Sequence, residues 1–115
     1  MGHEHVQIKR VYETQAPDDG FRILVDRIWP RGLSKDRAAV DVWLREVGPS
    51  TELRRWFGHD PERFQEFATR YRAELKGSPA LAELRRLCAE HDRATLVYGA
   101  KDTEHNQAVV LRGLV

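Results

Sequence analysis

A single cysteine, Cys88, stands among the 115 residues, so no internal disulfide can staple the chain. No apolar run approaches the roughly 20 residues that a helix needs to cross a bilayer. The opening "MGHEHVQIKR" also lacks the apolar stretch of a secretion signal. These absences lead to the expectation of a cytoplasmic protein with no membrane partner. Charge of one sign is scarce as well: 19 basic residues against 18 acidic ones leave a formal +1. No overall field draws the molecule to polyanions, which makes nucleic acid a poor fit as a partner unless a local basic patch exists. The chain has no Walker loop, no dinucleotide glycine fingerprint and no Cys/His pairs at zinc spacing, so no motif names a cofactor or a metal. The "HEH" tract at residues 3–5 holds metal-binding side chains, but so short a terminal tract is usually incidental. Neither an internal repeat nor a low-complexity stretch occurs.

What remains is an ordinary globular balance, 41% hydrophobic and 32% charged residues with a mean hydropathy of −0.61. The length suits one domain with one core, spanning residues 1–115. Val6 to Glu13, "VQIKRVYE", mixes apolar with polar residues at near-alternate positions and reads as an edge-prone strand. "TQAPDDG" supplies turn residues. Phe21 to Ile28 reads as a second strand whose apolar centre, Ile23, Leu24 and Val25, suits burial on both faces. Trp29-Pro30 ends it, because proline cannot donate to a ladder. "SKDRAAV" predicts a short helical turn capped by Ser34, and "VDVWLREV" favours a strand over a helix by its alternation.

Three helix starts follow, at Ser50, at Asp60-Pro61 and at Ser78-Pro79, with proline placed where its missing N–H costs nothing. Phe64, Phe67, Tyr71 and Leu75 share one helical face, and Leu81, Leu84, Cys88 and His91 share another. Thr95 to Tyr98 reads as a buried strand. From about Thr103, the spacing of Ala108, Val109, Leu111 and Arg112 predicts a closing helix. The order predicts a small single-domain layered α/β fold, with a short, mostly parallel sheet packed by helices.

In such sheets ligands collect beyond the carboxyl ends of the strands. Two strand ends deliver polar clusters: Asp26, Arg27 and Arg31 after the second strand, and Lys101, Asp102, Glu104, His105 and Asn106 before the last helix. If the two strands are parallel neighbours, Arg27, Arg31, Lys101 and the helix start at His105-Asn106 can together receive a small anionic ligand such as a phosphate-bearing one, as an arginine fork takes two oxygens at once. Asp26, Asp102 and His105 are then the acid–base candidates if hydrolysis or group transfer occurs. Each residue has a plainer structural alternative. Asp26-Arg27 can be an ion pair, Asp102 or Thr103 a helix cap, and His59-Asp60 the loop and cap before Pro61. Cys88 on an apolar helix face reads as a core thiol. The arginines Arg54, Arg55, Arg70, Arg72, Arg85 and Arg86, interleaved with glutamates, read as solvated surface.

The stretches "IKRVYE", "DGFRILVDRIWPRGLSK", "WLREVGPSTELRRWFGHDPERFQEFATRYRAEL" and "TLVYGAKDTEHNQAVVL" together resemble the YeaO-like bacterial proteins, a branch of the domain of unknown function 488 group. The resemblance runs over about residues 6–112 and implies a compact α/β domain in a bacterial cytoplasm. It brings no reaction, substrate or cofactor, so no residue role is carried over by likeness. The sequence alone thus favours an anion-binding protein, with a nucleic-acid module using Trp29, Trp43 or Trp56 for stacking, or a protein-interaction domain, as the alternatives.

Overall fold

The computed structural model describes residues 5–115. Four parallel strands form one sheet in the order β1-β4-β2-β3, with β1 at Val6–Arg10, β2 at Phe21–Leu24, β3 at Val42–Trp43 and β4 at Ala94–Tyr98. The helices are α1 (Lys35–Ala38), α2 (Thr51–Phe57), α3 (Phe64–Leu75), α4 (Pro79–Glu90) and α5 (Gln107–Arg112). The expected α/β class with a short parallel sheet is what the chain adopts. No helix among the described residues is long and apolar enough to cross a membrane.

Alternation along the strands sorts the core into two sides. Ile23, Val25, Ala94, Leu96 and Tyr98 join the larger cluster with Leu53, Phe57, Phe67, Tyr71, Leu84 and Leu111 from the helices. Leu24, Val97 and Val11 face the other way, where Ala38 of α1, Leu33, Trp29 and Trp43 close over them. Every residue of β4 is buried, as a central parallel strand covered on both faces requires. Ser34, Ser50, Asp60 and Ser78 each accept a backbone N–H at the start of a helical segment, so these capping signals acted where they stood, whereas the last helix is capped by Asn106 and not by Asp102 or Thr103.

Several expected boundaries move. The first strand ends at Arg10 rather than Glu13. The second ends at Leu24, although Val25 still donates to the Val97 carbonyl at 3.1 Å. Ile28, read as the last residue of that strand, is 56% exposed, because the chain has left the sheet by then. "VDVWLREV" gives only the two-residue strand β3 before a 3-10 turn at Arg45–Val47. The last helix begins at Gln107, later than Thr103, since residues 99–106 are spent in a turn. His91 falls just past α4 and stacks on Phe21 at 3.9 Å instead of continuing the helical face. Of the "HEH" tract, His3 and Glu4 lie outside the described residues, and the His5 ring hydrogen-bonds the Cys88 carbonyl at 2.6 Å.

Candidate functional site

β2 and β4 are parallel neighbours, with Leu24 opposite Val97. The connection after β2 runs to α1 on one face of the sheet, while that after β4 runs to α5 on the other. Loops that part in this way leave a crevice at the carboxyl edge. A cleft of about 800 Å³ lies there, lined by the Asp26–Arg31 segment, the Gly99–Gln107 segment, Tyr12, Pro49, Arg54, Phe57, His59 and Phe67.

Asp26 sits at its floor. Continuing the register by two residues puts Asp26 opposite Gly99, and the Asp26 carboxylate takes the Gly99 N–H at 2.9 Å, as a strand carbonyl would have. Its other oxygen accepts from the Gln107 amide of α5. A Cβ on residue 99 would stand 2.9 Å from Asp26 Oδ2, so this contact needs glycine. The Asp26 main chain is pinned by Trp43, whose indole N–H donates to its carbonyl at 2.7 Å. Burial pushes the Asp26 carboxyl up to about 6, against the Gly99 and Gln107 hydrogen bonds and the nearby Arg54 charge, which pull it down. No ion pair within 4.0 Å compensates it among the described residues.

The other sequence candidates divide by what already holds them. Arg27 lines the cleft, but its Nε donates to the Pro49 carbonyl at 2.8 Å and its Nη2 to the Gly48 carbonyl at 2.7 Å. That guanidinium ties the β2 exit to the start of α2, and Glu46 rather than Asp26 is its acidic neighbour, at 3.7 Å. Arg31 and Lys101 are exposed on the rim and have no salt-bridge partner among the described residues. Asp102 works as a turn former: Oδ1 accepts the N–H groups of Glu104 and His105, and Oδ2 meets His105 Nδ1 at 2.9 Å. The Glu104 N–H above all, together with His105, holds its carboxyl below the usual range. Asn106 is buried and caps α5, taking the N–H groups of Ala108 and Val109 at 2.9 and 3.2 Å while donating to the Asp102 carbonyl. At this helix start the Asn106 cap thus already takes two of the backbone N–H groups that the sequence reading offered to an anion.

Arg54 is the residue that sequence reasoning assigned to solvated surface and the structure places in the cleft. Its Nε is buried and has no hydrogen-bond partner among the described residues. On α2, Leu53 and Phe57 are the buried pair at i, i+4, and Arg54 borders both. That adjacency to the apolar stripe was the available signal, and it separates Arg54 from the exposed Arg55. Gln107 also escaped notice, and His59, read only as part of the loop before Pro61, lines the cleft as well; it holds a left-handed φ of 59° just after Gly58 at 54°, a conformation uncommon for a residue with a side chain. No group of three or more metal-ligating side chains gathers among the described residues.

Comparison with known proteins adds the family. The profile described as "Inactive DUF488-N3 subclade" matches residues 5–115. The chain belongs to that DUF488 subclade. Uncharacterized proteins of Mycobacterium tuberculosis and Mycobacterium bovis are 50% identical over 110 residues, 96% of this chain and 92% of theirs. The uncharacterized protein YeaO of Escherichia coli is 42% identical over 107 residues, 93% of each chain. The YeaO-like resemblance of the sequence is thereby supported. No solved structure matches.

Proposed function

We propose that the protein binds a small anion in the carboxyl-edge cleft and holds it without turning it over. The observation that carries this reading is the buried, unpartnered Nε of Arg54 in the wall of that cleft. A buried donor with no acceptor costs about 1–3 kcal/mol, more when charged, and buried polar groups are otherwise almost always satisfied. The Arg54 side chain borders the cleft around that sealed nitrogen, and a guanidinium is built to receive an oxyanion. Arg31 and Lys101 add positive charge at the rim.

Binding is favoured over turnover by two things. The subclade is described as inactive. The acid–base set of Asp26, Asp102 and His105 is also largely engaged in structure, with both Asp102 oxygens occupied by its own turn. The nucleic-acid alternative draws less support, because Arg70 and Arg63 lie over Trp56 and pair with Glu66 and Asp60, while Arg86 pairs with Glu83 and Glu90. Such interleaved charge gives no basic stripe.

The test is thermal unfolding in sulfate against sodium chloride of equal ionic strength, on the wild type and on Arg54→Met. Sulfate strengthens burial generally, so the variant is the necessary control. An added rise in the wild type that Arg54→Met lacks supports the reading through mass action. Equal rises in both proteins remove it.

A further inference from the structure

We infer that the ligand is an amphipathic phosphate monoester, its anionic head on Arg54 and an apolar or aromatic body laid against Ile28 and Tyr12. The inference rests on the anion-binding reading and names the chemistry of the anion. Its first ground is size. About 800 Å³ lies in the range of pockets for whole organic ligands, roughly 300–1,000 Å³, and a bare oxyanion would leave most of it to water.

The second ground is where the apolar surface lies. Tyr12 and Ile28 are the large hydrophobic side chains left exposed among the described residues, at 38% and 56%, and both line this cleft. One exposed apolar residue means little. Here both are also held in place. Ile28 stands between Arg27, anchored on the Gly48 and Pro49 carbonyls, and Trp29, whose indole N–H donates to the Leu33 carbonyl at 2.6 Å. Tyr12 donates its hydroxyl to the Arg31 carbonyl at 2.8 Å, and the Arg10 guanidinium lies 5.0 Å from its ring centroid. The backbone thus presents two fixed apolar surfaces beside a charged floor, the arrangement that an amphipathic ligand fills.

The third ground is the head group. Arg54, Arg31 and Lys101 face the cleft without salt-bridge partners among the described residues, which suits a dianion better than a single carboxylate. Asp26 also faces it, held only by the neutral donors Gly99 and Gln107. A phosphate monoester, whose second ionisation falls near pH 6, can share a proton with that carboxyl group. Across the cleft, the other titratable groups are Tyr12, Arg27, His59, Asp102 and His105.

Calorimetric titration with phenyl phosphate, inorganic phosphate and benzoate tests this on the wild type, Arg54→Met and Ile28→Ser. Phenyl phosphate should bind about tenfold more tightly than inorganic phosphate, since a buried ring removes several CH groups from water, and more tightly than benzoate. Ile28→Ser should narrow the gap between the two phosphates, and Arg54→Met should abolish binding of both. If inorganic phosphate binds the wild type as well as phenyl phosphate does, or benzoate equals phenyl phosphate, the inference falls while the anion-binding reading stands. If no probe binds the wild type, both fall.

Discussion

Asp26→Asn separates the cost of the cleft from the stability of the fold. In the folded chain the Asp26 carboxyl is raised from 3.8 to about 6, chiefly by burial. For an acid, such a shift means that the fold prefers the protonated form. The contribution is therefore fully favourable below the unfolded value, near pH 4, and is lost as pH rises through about 6. Above that, the wild type carries a carboxylate that the fold disfavours by about 3 kcal/mol, two pKa units at roughly 1.4 kcal/mol each.

Asparagine keeps the shape and removes the titration. Its carbonyl oxygen can accept the Gly99 N–H, and Gln107, turned end for end, can present its own oxygen to the new amide. Urea unfolding of both proteins at intervals from pH 4 to pH 8 reads the difference. Relative to the wild type, Asp26→Asn should gain stability from pH 4 to about 6, then level off near 3 kcal/mol. A difference that stays constant over the whole range would refute the reasoning, since Asp26 would then titrate alike in folded and unfolded chains.

Other outcomes follow from the same geometry. Asp19→Ala should destabilise the fold by about 3–5 kcal/mol in urea, because it strands the fully buried Arg22, which Asp19 meets at 2.5 Å. Asp19 itself is held below the ordinary carboxyl range: burial alone would raise it, but the Ala16 N–H, Lys9 and Arg22 overcome that. Its stabilisation is thus present above about pH 4 and is lost as pH falls through the folded value, opposite in sense to Asp26. Gly99→Ala should cost about 1–3 kcal/mol by driving a Cβ against the Asp26 carboxylate, and less in an Asp26→Ser background, where a shorter side chain leaves room. Tyr71→Phe should cost about 1–3 kcal/mol, measured the same way, by leaving the buried Val47 carbonyl without the hydroxyl that now donates at 2.5 Å.

Much of the fold was written locally. Ser50, Asp60-Pro61 and Ser78-Pro79 are signals that act within one turn, and the buried run before Gly99 marks a central strand without any knowledge of its partners. The Asp26–Arg31 and Lys101–Asn106 clusters that the sequence set at two strand ends do meet around one cleft. What it missed depends on contacts between distant segments. That Arg27 turns to the Gly48 and Pro49 carbonyls follows from a close approach in which a Cβ on residue 48 would stand 2.8 Å from the Arg27 nitrogen. The place of Arg54 beside Leu53 and Phe57 hinted at a difference from Arg55, but that difference becomes cleft wall against solvent only once α2 is docked. The extent of β2 was overread for the same reason: the apolar run at Ile23 to Val25 and the stop at Trp29-Pro30 suggested a strand up to Ile28, but the ladder ends at Val25.

The two ends of the sheet differ in how their charges are treated, and that difference bears on function. At the amino end, Arg22 is wholly buried yet complete: Nε and Nη2 donate to the Ala39 and Ala38 carbonyls, and Nη1 meets Asp19, which Lys9 also reaches. Thr95 and Gln7 extend the same network. This chain can evidently satisfy a buried guanidinium when the role is structural. At the carboxyl end it leaves the Arg54 Nε without an acceptor, Asp26 without a cation in contact, and His59 in a left-handed conformation. Structure alone gives no reason to gather unmet groups in one place, because each lowers stability. Pairing Arg54 with a new carboxylate should therefore stabilise the fold and weaken anion binding together: Phe57→Glu would disturb the core, whereas His59→Glu puts a carboxylate on the exposed rim of the same cleft. Unfolding in urea and sulfate titration on that one variant should move in opposite directions; if both improve, the unmet groups are not kept for a ligand.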